Sequence, residues 1–136
     1  MIAYVIASHG DLAESMRKSS FMIFGEQEQV AAVNFLPNES PEELKQAYEK
    51  AIASFSPASQ VIFLVDLYGG TPFNVATEIV SGNTEKMSLI SGLNLPMLVE
   101  AYTVRDRALA EVVAHLEATA KAGVRHLDIQ DGEDEA

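Results

Sequence analysis

Val61-Ile62-Phe63-Leu64-Val65-Asp66 is the stretch that decides the fold. Its first five residues are apolar without a break, and β-branched or aromatic side chains dominate them. So short a run with that composition is the pattern of a strand covered on both faces. Pro57 breaks the chain ahead of it. Behind it comes Gly69-Gly70-Thr71-Pro72, a turn and a helix start, with Thr71 as the expected cap and Pro72 just inside the helix. Gly82 closes that helix.

The same alternation continues upstream. Residues 2–8, Ile-Ala-Tyr-Val-Ile-Ala-Ser, form another nearly continuous apolar run. Asp11 offers an N-cap, and Glu14 completes a capping box. Leu12, Met16, Ile23 and Phe24 give the helix after it an apolar stripe, which Gly25 ends. Residues 30–36, Val-Ala-Ala-Val-Asn-Phe-Leu, read as a strand. Ser40-Pro41-Glu42-Glu43 reads as a capped helix start, with Leu44, Ala47, Tyr48 and Ala51 following at helical spacing.

Downstream, Lys86 to Ser91 reads as a fourth strand, and Pro96 begins a short helix after a loop over 92–96. Thr103 and Asp106 read as a capping box for a helix over roughly 104–121 that Gly123 ends. Val124 to Ile129 alternates apolar and polar residues, the pattern of a half-exposed edge strand. The order β-α-β-α-β-α-β-α-β predicts an α/β fold. Its sheet is doubly wound and mainly parallel, with helices on both faces and an antiparallel last edge strand. Residues 1–130 form one domain. Residues 131–136 read as a frayed acidic tail.

Composition narrows the function. A chain of 136 residues can bury roughly two thirds of its extended surface. It has no cysteine, so disulfides and thiolate metal sites are excluded. The N-terminus has no basic segment of the signal-peptide kind, and no apolar run approaches the ~20 residues of a membrane helix. A soluble, cytoplasmic protein is expected. Twenty acidic residues against nine basic ones give a net charge of −11. That field repels nucleic acid and anionic membranes, and favours a partner with a basic face. The His, Asp and Glu residues do not fall at metal-ligand spacing, so neither a metal nor a cofactor is expected.

In a doubly wound sheet the binding crevice lies beyond the carboxyl ends of the strands, here just after residues 8, 36, 66 and 91. His9 stands at the first of these positions and Asp66 at the third. The first and third strands of such sheets are commonly neighbours, which would set the two side by side. Asp66 could then accept the Nδ1 proton and leave Nε2 free as a nucleophile. A lone histidine ending a strand is more often unremarkable, and the pairing with Asp66 is what favours chemistry. Gly69, Gly70 and Thr71 could bring backbone N–H groups and a hydroxyl to a phosphoryl group. They lack the lysine and spacing of a nucleotide phosphate loop. Asn94 and Pro96 read as turn residues at the crevice rim, His115 and His126 as surface residues, and Met16, Met22 and Met97 as core or rim packing.

Four segments, in this order, resemble the IIA component of the mannose family of the phosphoenolpyruvate-dependent sugar phosphotransferase system (PTS). They are Ile-Ala-Ser-His-Gly at 6–10, Phe-Gly-Glu-Gln-Glu at 24–28, Phe-Leu-Val-Asp-Leu-Tyr-Gly-Gly-Thr-Pro-Phe-Asn at 63–74, and Gly-Leu-Asn-Leu-Pro-Met-Leu-Val-Glu at 92–100. The resemblance covers about residues 1–130. It implies a phosphotransferase carrying its phosphoryl group on His9, with Asp66 in support and Thr71 where the family often has serine. It implies the small carrier HPr as phosphoryl donor and a IIB component as acceptor, with membrane IIC and IID components taking the sugar. It also implies a homodimer, often with the last strand exchanged between subunits. The sequence up to Ala136 contains no Ala/Pro-rich linker and no fused IIB domain, so IIB is expected on a separate chain if this chain is complete. A related branch serves dihydroxyacetone kinases or regulation, but Tyr-Gly-Gly-Thr-Pro-Phe-Asn resembles the sugar-uptake branch. Two rivals share the topology. A receiver domain would need paired acids after the first strand, where Ser8-His9 stands. A flavodoxin-like binder would need a loop there richer in hydroxyls and glycines.

Overall fold

The computed structural model describes residues 1–130. The expected acidic tail, 131–136, lies outside them. Among the described residues there are four strands: β1 (Ala3–His9), β2 (Val30–Phe35), β3 (Val61–Val65) and β4 (Met87–Ser91). Five helices are defined beside them among the described residues: α1 (Leu12–Phe24), α2 (Pro41–Ala53), α3 (Thr71–Ser81), α4 (Leu95–Ala101) and α5 (Leu109–Ala122). The sheet order is β2-β1-β3-β4, and every pairing is parallel.

β1 and β3 lie side by side at the centre, with Ala3 opposite Val61 and Ala7 opposite Val65. Their unbroken apolar runs have a direct cause, since both faces are covered. Tyr4, Ile6, Ile62 and Leu64 point into a core with α1, α4 and α5. Ala3, Val5, Ala7, Val61, Phe63 and Val65 point into a second core with α2 and α3. Burying a side chain such as Phe63 or Leu64 contributes about 1.5–3 kcal/mol.

The Ser40 box forms as read: the Ser40 hydroxyl accepts from Glu43 N–H, and the Glu43 carboxylate accepts from Ser40 N–H. α1 does start after Asp11 and α3 does open at Thr71-Pro72, but neither makes the expected side-chain cap, and the Thr103–Asp106 box does not open the last helix. Asp11 makes no side-chain cap. Instead Ser8 Oγ accepts Ala13 N–H at 2.6 Å and Asn34 Oδ1 accepts Glu14 N–H at 3.3 Å, so α1 is capped from the sheet. Thr71 is the first residue of α3, and Gly70 occupies the cap position without a side-chain bond. Thr103 bonds back to Glu100, and the last helix starts five residues later than expected, at Leu109. Chain reversal around the buried Arg105 fills the interval.

The stripe expected on α1 is also corrected. Met16 packs on the core, but Leu12, Ile23 and Phe24 are exposed, as is Met22. Ala13 and Ser20 hold the buried positions. Ser20 fits there because its hydroxyl is shared with Arg17 O and Tyr102 Oη, so the buried hydroxyl is not left unpaired.

The antiparallel edge strand is not present. Residues 124–128 carry no regular structure, and Val124, Leu127 and Ile129 are exposed. Alternation marks a segment able to cover one face of a sheet, but a strand forms only where an edge is within reach to pair with it. The chain leaves α5 at Gly123, packed against Pro96, and reaches no edge within residues 1–130.

Candidate active site

The strand order reverses between β1 and β3, since the chain passes from β1 outward to β2 and then back across to β3. The carboxyl ends of these two strands carry His9 and Asp66. One carboxylate oxygen serves the histidine twice. Asp66 Oδ2 accepts the His9 main-chain N–H at 2.9 Å and lies 2.9 Å from the ring Nδ1. The other oxygen, Oδ1, accepts Leu67 N–H at 2.9 Å. Burial acts to raise the Asp66 carboxyl. The His9 N–H, the His9 ring and the Leu67 N–H together outweigh it, and hold Asp66 below the usual carboxylate range. An ionised Asp66 draws the ring proton to Nδ1 and leaves the Nε2 lone pair free.

The other side of the ring meets backbone. A Cβ placed on Gly70 would stand 2.8 Å from His9 Cε1 and 3.4 Å from Nε2. Only glycine permits so close an approach. Gly69, one residue earlier, adopts φ +81°, the left-handed conformation the turn requires. Asn74 holds the turn from inside α3, its side chain donating to Gly69 O at 3.0 Å and its N–H to Gly70 O at 2.8 Å. α3 begins without a side-chain cap, and Pro72 brings no N–H. The unspent donors at that helix start are therefore those of the residues around Pro72, next to the imidazole.

The His9 side chain is 44% exposed, against 12% for Asp66. The imidazole is therefore accessible from outside, while the carboxylate beside it is sheltered. Exposed Leu12, Leu36, Leu67 and Tyr68 sit on the segments leaving β1, β2 and β3.

Of the residues singled out in the sequence, His9, Asp66, Gly69, Gly70 and Thr71 fall together at this edge. Asn94 does not line it as a donor. Its side chain caps α4 through Met97 N–H and donates to Ala120 O. His115 lies 3.3 Å from Glu100, linking α5 to α4, and His126 is exposed. Met97 is fully buried. Sequence reading missed Phe35. It lies opposite His9 in the β1–β2 register, and its ring meets the imidazole edge-on with centroids 6.3 Å apart. Its place at the end of the second strand was the available signal. Among the described residues, no group of three or more His, Cys, Asp or Glu is placed to hold a metal ion. No helix among them is long and apolar enough to cross a membrane.

Comparison with known proteins gives this geometry a context. The family model described as the PTS system fructose IIA component matches residues 3–119. The mannose-specific EIIAB component of the PTS from Escherichia coli K12 is 41% identical over 128 residues, which are 93% of this chain and 39% of that protein. The chain thus spans about two fifths of that relative. The fructose-specific EIIA component from Bacillus subtilis is 36% identical over 119 residues, 87% of this chain and 81% of that one. A solved EIIA component from Streptococcus agalactiae superposes with a TM-score of 0.84 at 31% identity, covering 93% of this chain and 97% of its own. The resemblance read from residues 6–10, 24–28, 63–74 and 92–100 therefore holds, and the chain belongs to the mannose-family IIA components of the sugar phosphotransferase system.

Proposed function

We propose that this chain is a phosphoryl carrier of a sugar phosphotransferase system, accepting phosphate on His9 from phospho-HPr and passing it to a IIB component. One observation carries the reading: an exposed imidazole with a carboxylate 2.9 Å from Nδ1 and a glycine backbone against its Nε2 edge. In the forward step the Nε2 lone pair attacks phosphorus in the donor's phosphohistidine. The donor N–P bond breaks, its electron pair returns to the donor's ring, and the Nδ1 proton stays on the Asp66 bond. The reverse arithmetic delivers the group to IIB. His9 and Asp66 are the catalytic pair. Gly69, Gly70 and Thr71 form the phosphate-binding turn, through backbone N–H groups and the Thr71 hydroxyl. Positioning and charge stabilisation supply most of the rate in such transfers.

The same reading extends to the whole assembly. Residues 1–130 make a doubly wound carrier domain acting in the cytoplasm, with membrane IIC and IID components downstream of IIB. Two copies form a homodimer. The exposed alternating residues 124–129 and the outer edge of β4 support an exchange of that segment between subunits.

Incubation with enzyme I, HPr and phosphoenolpyruvate, followed by intact mass, tests the central claim. One acid-labile, base-stable phosphoryl group is expected on the wild type and none on His9→Gln, with the fold unchanged. Label retained on the folded variant would reject His9 as the carrier.

A further inference from the structure

We propose that Tyr48 is a positioning residue for phosphoryl transfer: its buried hydroxyl fixes the first turn of α3, and with it Gly70, against the imidazole of His9. This deepens the carrier reading and rests on it.

Tyr48 belongs to α2 and is fully buried. Its ring meets Phe63 of β3 edge-on, with centroids 5.0 Å apart. Its hydroxyl donates to Pro72 O at 2.8 Å. A carbonyl at that place in a helix already has a donor in the N–H four residues on, so the tyrosine is not needed to satisfy it. Phenylalanine would fill the same space without burying a polar atom. What the hydroxyl adds is a fixed distance between α2 and the start of α3.

That distance matters because the turn has no slack. Gly70 already lies so close to the ring that a single added carbon would stand 2.8 Å from Cε1. The start of α3 has no side-chain cap of its own. Two struts locate it instead, Tyr48 at Pro72 and Asn74 at Gly69. If the Tyr48 strut is removed, the donors beside Nε2 drift relative to the phosphorus they must meet. Burial pushes the Tyr48 phenol up and the Asp66 carboxylate adds to the shift, so it remains a donor throughout the physiological range.

The test is Tyr48→Phe in the full chain, phosphorylated by enzyme I, HPr and phosphoenolpyruvate. Misplacement of reacting groups by about 1 Å can cost on the order of a hundredfold, and a partial loss of roughly tenfold in kcat is expected here. The KM for phospho-HPr should stay unchanged, and the His9 ring nitrogen resonances should move. Asn74→Ala, which frees the Gly69 carbonyl at an exposed position, should give the same kcat-only loss, and serves if Tyr48→Phe does not fold. Wild-type kcat with unmoved ring signals, or a loss that only tracks the unfolded fraction, overturns the proposal. His9→Gln runs alongside. If it takes up label, the carrier reading has failed and the Tyr48 role falls with it. If it stays unlabelled, a full-rate Tyr48→Phe removes Tyr48 alone.

Discussion

The two ends of the sheet treat their polar groups in opposite ways. At the amino end, Arg105 is 6% exposed. Its Nε donates to Ile2 O at 2.9 Å, Nη2 to Gln29 O at 3.2 Å and Nη1 to Gln27 Oε1 at 3.3 Å, while the guanidinium lies 5.4 Å from the Tyr4 ring centroid. The cation is spent on carbonyls and shut in. At the carboxyl end, His9 is held on its Nδ1 side only, and its Nε2 edge faces a glycine turn and solvent. A group bonded on all sides stabilises a fold, and a group bonded on one side keeps a lone pair for chemistry. Substitutions should therefore separate the two ends cleanly.

The largest effect belongs to Gly70→Ala. The new Cβ meets His9 Cε1 at 2.8 Å, so the ring must leave its place beside Asp66. Labelling by phospho-HPr should slow about a hundredfold with little change in thermal stability. A wild-type labelling rate would show that the contact does not govern the ring. Arg105→Leu should do the converse. It leaves the Ile2 and Gln29 carbonyls without this donor, so unfolding in urea should show a loss of about 3 kcal/mol, while the folded fraction labels normally. A labelling defect in folded Arg105→Leu would break the division between the ends.

The smallest effect concerns pH. The Asp66 carboxyl is depressed in the fold relative to its unfolded value of about 3.9. Its contribution to stability is therefore complete above that value, and is lost as pH falls through the lower folded one. Between about pH 5 and pH 2, wild type should lose more stability than Asp66→Asn. Parallel curves for the two proteins would remove the charge from the account.

The division also explains what was legible in the sequence. Buried strands announce themselves, since residues covered on both faces must be apolar, and so β1 and β3 were readable within a residue or two. Their adjacency carried His9 to Asp66. Caps were less legible. Asp11 has the right chemistry and position, but Ser8 and Asn34 reach the same N–H groups from the sheet, and no local pattern reports that. Ser20 inside and Ile23 outside invert the hydropathy rule, because a small hydroxyl with two partners fits where a branched side chain does not. Segment 124–129 failed for a different reason. Alternation describes what a strand would bury, not whether an edge lies within reach. Phe35 and Tyr48 act on the site across strands and helices, so neither carries a signature along the chain.

Asp66 Oδ2 holds two hydrogens of the same residue, one from the main chain and one from the ring. The first of these does not depend on side-chain torsion. The carboxylate is therefore aimed by the rigid strand end and not by the ring it serves. The orientation of the acceptor is built into the sheet, so the imidazole meets it ready-made.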